Sequence, residues 1–459
     1  MKGLHTLRLA EQVTNLTYGS LDKSVIQRAK EAVLDTIGVT LEGSRTRCAD
    51  LLNEHIEDIG GREEATIIGR NRRSSPSNAA LVNTSSGHAL DYDDVSVTVI
   101  GHPAVVTLFP ALALGEKLHS SGEDILSAFI AGYETIASIA RGVIPEFNEK
   151  GWHCCSTLGT FGAAATACKI CGLNREDTAT AFGIAGALAS GVKENFGTMT
   201  KPLQVGKAAS NGITSALLVK KGFTASPQIL EGKHGFCSVF APTYELDKMV
   251  ESYGRPFDLV SGGAIFKKWA ACYAFHPCIE AIILLSEENN ILPEDVSKIE
   301  IAATPIVVDN HFYDEPRTGI EGKFSAHFCA AVALAKRKAG SREFSENVIK
   351  DPVIKNLMTK VRLYADQDLC KHGYVLPEEE GPTKTRVAIM LNDNRVLFRE
   401  ISIAKGAPSR RLSVEEIIGK FKECAGIILS EESIENLLDC VMNLEQMSDI
   451  SRLMNMLKG

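Results

Sequence analysis

Asp91, Asp93 and Asp94 put three carboxylates within four residues, and His102 follows just before Pro103. A second polar island, Thr198-Met199-Thr200-Lys201-Pro202, borders sequence rich in Ala, Gly and Val. Charge is costly to bury, so it stands beside apolar runs mainly when it is paired or used. The acidic island reads in two ways. It is either a helix terminus with solvated acids, or a place where Asp91 orients a cation or a histidine while another Asp holds the loop. A histidine before proline is biased towards an extended backbone, and held so, His102 can carry a proton near neutral pH.

Lys201 sharpens the second reading. The spacing predicts a helix capped by Thr200, with Pro202 in its first turn. A helix N-terminus disfavours a cation and favours an anion. An ammonium there is either a snorkelling surface lysine or half of a site for a carboxylate ligand. His153, in Gly151-Trp152-His153, is either a satisfied core residue or part of a polar wall with Cys154, Ser156 and Thr157. Lys267 and His276, in the run from Phe266 to Pro277, again set cations and a His-Pro pair against apolar sequence.

The elements that must position these groups are mostly helical. Ser20 to Leu41 and Gly122 to Arg141 carry apolar residues at a 3.6-residue period, and small-residue stretches such as Ala163-Ala164-Ala165 suit closely packed helices. After about residue 265 the pattern changes. Lys298 to Ala302, Arg386 to Leu391 and Arg395 to Ile403 alternate as strands, the last two around an Asn392-Asp393-Asn394 turn. A helix is predicted over Phe324 to Lys338, and Ser413 to Glu416 is a capping box. The expected fold is mainly α: a large helical-bundle domain from 1–267 with 406–459, and a smaller α+β lid domain over 268–405.

Composition narrows the function. The chain has 459 residues and a net charge of −8, without a long basic run, so nucleic acid is not an expected partner. No apolar run is long enough to span a membrane. The start lacks a signal-peptide pattern, and twelve scattered cysteines suit a reducing cytoplasm. Cys168 and Cys171 form a CxxC without a second pair, read as buried thiols. The nucleotide loops, HExxH and GxSxG are missing from the sequence, and neither metal nor cofactor is expected. Carboxylate binding with proton transfer at carbon is the chemistry left.

In Gly87 to Asp94, Gly101-His102-Pro103, Gly151-Trp152-His153, Asn195 to Pro202 and Lys267 to His276, the chain resembles the MmgE/PrpD family over nearly its whole length. The resemblance implies a cleft between helical domain and lid, a homodimer, and a cofactor-independent lyase for a small di- or tricarboxylate such as cis-aconitate or 2-methylcitrate. Epimerisation of a dicarboxylate such as iminodisuccinate, or an inactive carboxylate-binding member, are the alternatives. The expected catalytic residues are His102, His276, Asp91 and Lys201, with His153, Lys267, Thr200 and Asp94 binding substrate. Val95, Gln204 and Phe328 depart from the family pattern, where Thr, His and Tyr are common.

Overall fold

The computed structural model describes residues 4–261, 263–369 and 382–459. Its architecture is mainly α with a smaller α+β domain. Long helices over Lys23–Gly43, Pro76–Ala89, Pro103–Leu118, Gly122–Val143, Gly159–Ile170 and Thr200–Val219 form the larger part. Ile125 to Ala140 is buried without a break, Glu134 included, so protein surrounds this helix on its polar side as well as its apolar one. Glycine allows the crossing of this helix with Gly159–Ile170. A Cβ on Gly132 would stand 2.0 Å from Thr166 Oγ1, and one on Gly162 2.3 Å from Ile136 Cγ1.

The smaller part holds a four-stranded sheet. Val296–Ala303 is flanked by Val361–Ala365, parallel to it, and by Thr385–Leu391, antiparallel; Val396–Ile401 forms the edge. Val361–Ala365 has no counterpart among the sequence-based strands, because its residues beyond Val361 are half-buried or exposed and their apolar alternation is weak. Thr385, Val387, Ile389 and Leu391 alternate inward, towards the helix His276–Glu288. The predicted helix after Phe324 runs over Ala326–Lys336.

Ser413 caps Val414–Ala425 as its capping box requires, and this helix packs on Lys23–Gly43. Ile417, Phe421 and Leu437 of the closing segment lie in the core of the large helices, while Cys424 lies in the core of the sheet. Leu90 and Tyr92 cross over in the same way, from the large-helix region into the sheet core. No helix among the described residues is long and apolar enough to cross a membrane.

Candidate active site

Ser75 caps the helix Pro76–Ala89 by accepting the Asn78 N–H, and the helix ends at Leu90. Asp91 then adopts a left-handed backbone with φ +49°, a conformation Asp tolerates better than most residues. Three successive carbonyls at this helix end each accept from a different lysine. Lys323 Nζ donates to Leu90 O at 2.6 Å, Lys267 Nζ to Asp91 O at 2.7 Å, and Lys420 Nζ to Tyr92 O at 2.7 Å. Lys323 follows the short helix Gly319–Gly322, Lys267 follows the strand Ala264–Ile265, and Lys420 lies in Val414–Ala425. Cations suit this place because a helix C-terminus carries partial negative charge.

The Asp91 carboxylate lies between two ammonium groups, with Lys201 Nζ 2.7 Å from Oδ1 and Lys267 Nζ 3.1 Å from Oδ2. Burial alone would raise its pKa, but Lys201 and Lys267 outweigh burial and hold it far below the usual carboxylate range. Lys267 is placed by the pairing of Ala264–Ile265 with Val95–Ser96, which draws it back to the acidic loop. Lys201 also donates to His88 Nε2 at 2.8 Å. His88 Nδ1 stands 2.8 Å from Asp93 Oδ2, so the carboxylate takes the Nδ1 proton and Nε2 is left to accept. Burial, reinforced by Lys201, pushes the His88 pKa down to about 4.

Asp93 serves a second imidazole. His102 Nδ1 lies 3.3 Å from Asp93 Oδ1, close but out of line for a hydrogen bond, so both atoms are left without a partner. Unpaired buried polar atoms are uncommon, and of these two residues His102 lines a cavity. Burial would raise the Asp93 pKa, yet His102 and His88 hold it well below the usual range. His102 packs edge-on to His88 with ring centroids 4.5 Å apart, and its pKa is lowered, mainly by burial. His153 Nδ1 faces Gln204 Oε1 at 2.8 Å, while the Gln204 amide nitrogen donates to Val192 O. That orientation of Gln204 puts the His153 proton on Nδ1. Burial and Lys201 keep His153 well below its ordinary pKa.

These groups face a cavity of about 150 Å³ lined from both the large helices and the smaller α+β part, room for about five waters. Asp91, His102, His153, Lys201 and Lys267 line it, with Phe196 and Phe324 flanking Lys201 and Val95 on its wall. His276 does not line it. Its Nε2 faces Ala271 O at 3.3 Å, behind the chamber wall, and burial pushes its pKa down to about 3. Asp94 faces away as well, accepting from the Ala104 N–H at the start of Pro103–Leu118 and from the Tyr133 hydroxyl. Burial next to Asp93 and Asp35 pushes its carboxyl well above the usual range.

Thr200 corrects the predicted cap. The helix begins at Thr200 itself, after Met199, and the Thr198 hydroxyl accepts the Thr200 N–H at 3.2 Å. The backbone already turns at Thr198, whose N–H donates to Asn195 O, so the start moves forward. Of the departures from the family pattern, Phe328 packs against Phe344 in the lid core, away from the chamber. His88, Asp91 and His102 offer ligand atoms close enough for a metal ion, but the Lys201 ammonium is hydrogen-bonded to the first two.

Sequence reasoning assigned no role to His88, Lys323 or Lys420. For Lys420 a signal existed: it falls on the buried stripe Ile417, Lys420, Phe421, Cys424 of its helix, where an unneeded charge would be expensive. Its partner Asp35, 2.7 Å away, is likewise embedded between Leu34 and Ile37. Lys323 is followed by Phe324-Ser325 and gives no such periodic signal.

Residues 7–248 match the MmgE/PrpD N-terminal domain and residues 269–446 the MmgE/PrpD C-terminal domain. The chain is 29% identical to human cis-aconitate decarboxylase over 99% of its own length and 94% of the relative's. It is 25% identical to cis-aconitate decarboxylase of Aspergillus terreus, covering 98% of the chain and 95% of that protein. A mitochondrial 2-methylcitrate dehydratase of Yarrowia lipolytica is 25% identical over 85% of the chain and 78% of the relative. Two paired lysines, an acidic loop and two imidazoles converge on one cleft, and with both family domains matched the chain belongs to the MmgE/PrpD family.

Proposed function

We propose that this protein is a lyase that decarboxylates a small tricarboxylate of the cis-aconitate type, without a cofactor. The observation that carries the reading is the convergence of Lys201, Lys267 and His102 on one small cavity. The full-length likeness to cis-aconitate decarboxylases supports it, and dehydration of a 2-methylcitrate-type substrate is the second reaction to test.

Lys201 and Lys267 hold substrate carboxylates, partly exchanging Asp91 for the ligand. Fixed positive charge in a site closed to water stabilises a developing anion far better than it would in water. As the carbon–carboxylate bond breaks, CO₂ leaves and the bonding pair spreads into the neighbouring unsaturated carboxylate. His102 delivers the proton that quenches this carbanion and regains one from solvent. An arriving anion favours the imidazolium, and the Asp93 carboxylate, 3.3 Å from Nδ1, stabilises that cation by its charge. His153 fixes the substrate from the wall, and His276 stiffens that wall from behind.

The same reading has the protein working as a homodimer in a reducing cytoplasm. It also has 1–267 with 406–459 as the body and 268–405 as the lid. Light scattering at twice the chain mass of 49.6 kDa is the check on the dimer. For the reaction, purified protein is incubated with cis-aconitate, 2-methylcitrate and iminodisuccinate while CO₂, alkene absorbance and optical rotation are followed. CO₂ from cis-aconitate is the expected result. Alkene formation from 2-methylcitrate alone would make it a dehydratase, and silence in all three would end the substrate assignment.

A further inference from the structure

The chamber carries a third lysine with a different position and different partners. Lys193 lies in a short turn, Lys193–Asn195, whose backbone is tied to the strand of chain leading into His153: the Lys193 N–H donates to Gly151 O at 2.9 Å, and Trp152 pairs with Val192. The side chain is half-buried. Its Nζ donates to Asn148 Oδ1 at 3.3 Å, and it has no carboxylate within ion-pair distance among the described residues.

Lys201 and Lys267 differ on this point. Both lean on the one carboxylate of Asp91, and each also holds a second protein acceptor, His88 Nε2 for Lys201 and Asp91 O for Lys267. Two ammonium groups against one carboxylate leave a single net positive charge for a ligand. An ammonium has three donors, and Lys193 spends one of them on a neutral amide. Lys193 also lines two spaces at once, the inner chamber and an outer mouth. Glu149 and Asp309 line the mouth alone, so an anion moving inward leaves carboxylates behind and meets Lys193.

Resting on the lyase reading above, we infer that Lys193 is a specificity-determining residue: it receives the distal carboxylate of a tricarboxylate at the chamber entrance, while Lys201 and Lys267 hold the carboxylates at the reacting carbons. A dicarboxylate fills the inner pair and leaves Lys193 unused. Discrimination between the two classes then resides at the entrance, apart from the proton chemistry.

The test is calorimetric titration of the full chain with two saturated, unreactive probes, propane-1,2,3-tricarboxylate and butanedioate. Wild type, Lys193→Met and Lys193→Arg are compared. Lys193→Met is expected to weaken the tricarboxylate at least tenfold and the dicarboxylate less than threefold, with Lys193→Arg within threefold of wild type for both. Equal weakening of both probes, or none, while wild type binds the tricarboxylate, overturns the assignment of Lys193 and leaves the lyase reading standing. Failure of wild type to bind the tricarboxylate at all overturns both. Lys193 is half-buried at a turn, and matching thermal melts of the variants confirm that they fold.

Discussion

Two clusters in this protein are built from the same residue types and differ in everything that matters for chemistry. His88, His102, Asp91 and Asp93 lie buried at the end of Pro76–Ala89. His311, Asp314 and His327 form an outer cluster in the smaller α+β part, the lid cluster by its expected domain, with the Asp314 side chain 81% exposed. In the lid cluster, His311 Nδ1 accepts the Ala326 N–H, so its proton stands on Nε2 and is donated to a solvated carboxylate. Water does the stabilising there, and such a pair contributes little. At the chamber the carboxylates are buried, and each is answered by protein: Asp91 by two lysines and Asp93 by two imidazoles. Burial turns an ordinary acid–base cluster into one where position decides charge.

The contrast can be broken at its support first. Lys420 pairs with buried Asp35, stands 3.9 Å over the Tyr92 ring and holds Tyr92 O. Lys420→Met leaves Asp35 uncompensated and is expected to lower unfolding stability by roughly 3–5 kcal/mol in chemical denaturation. A loss below about 1 kcal/mol would mean that the carbonyl clamp is ornamental.

Next in size is the carboxylate that serves two histidines. Asp93→Asn keeps the shape but removes the acceptor that fixes the His88 tautomer and awaits the His102 imidazolium. A fall in kcat of roughly 10–100-fold is expected, with KM changed less. Asp314→Asn, the same substitution in the lid cluster, is expected to leave steady-state kinetics within about twofold. Similar effects at the two sites would erase the distinction drawn here.

A smaller effect is expected from pH. His276 is held neutral, its pKa pushed down to about 3 against an ordinary 6.5. Between those values the unfolded chain binds a proton that the folded chain refuses, so the stability owed to neutral His276 is complete above pH 6.5 and is lost as pH falls towards 3. His276→Gln removes this term. Relative to the variant, wild type is expected to lose stability progressively below pH 6.5, by on the order of a few kcal/mol at pH 3. Parallel stability curves for the two proteins would contradict the burial argument.

Much of the fold and part of the site could be read in the chain itself. The helices were legible because their apolar period is strong, as in Gly122–Val143, and the 385–401 hairpin because its turn residues are explicit. Val361–Ala365 was not, since a half-exposed strand lacks alternation. Lys201 stood out because a cation fits poorly at its own helix N-terminus; the structure resolves this with Asp91 and the C-terminal end of another helix. Asp94 and His276 looked like their neighbours in sequence, yet they face the other side of the wall. One residue along a loop or one turn along a helix reverses what a side chain meets, and sequence spacing carries no record of that. Asp93 was not singled out, because its place beside both imidazoles appears only once distant segments meet.

The central claim is that the buried ammonium of Lys201, shared with Asp91 at the chamber wall, stabilises charge developing on a bound carboxylate. The most direct measurement is kcat/KM for CO₂ release from cis-aconitate by wild type and Lys201→Ala under identical conditions. A fall on the order of 10²–10³ or more is expected for the variant, with the fold intact by circular dichroism. Equal rates for the two proteins would contradict the account.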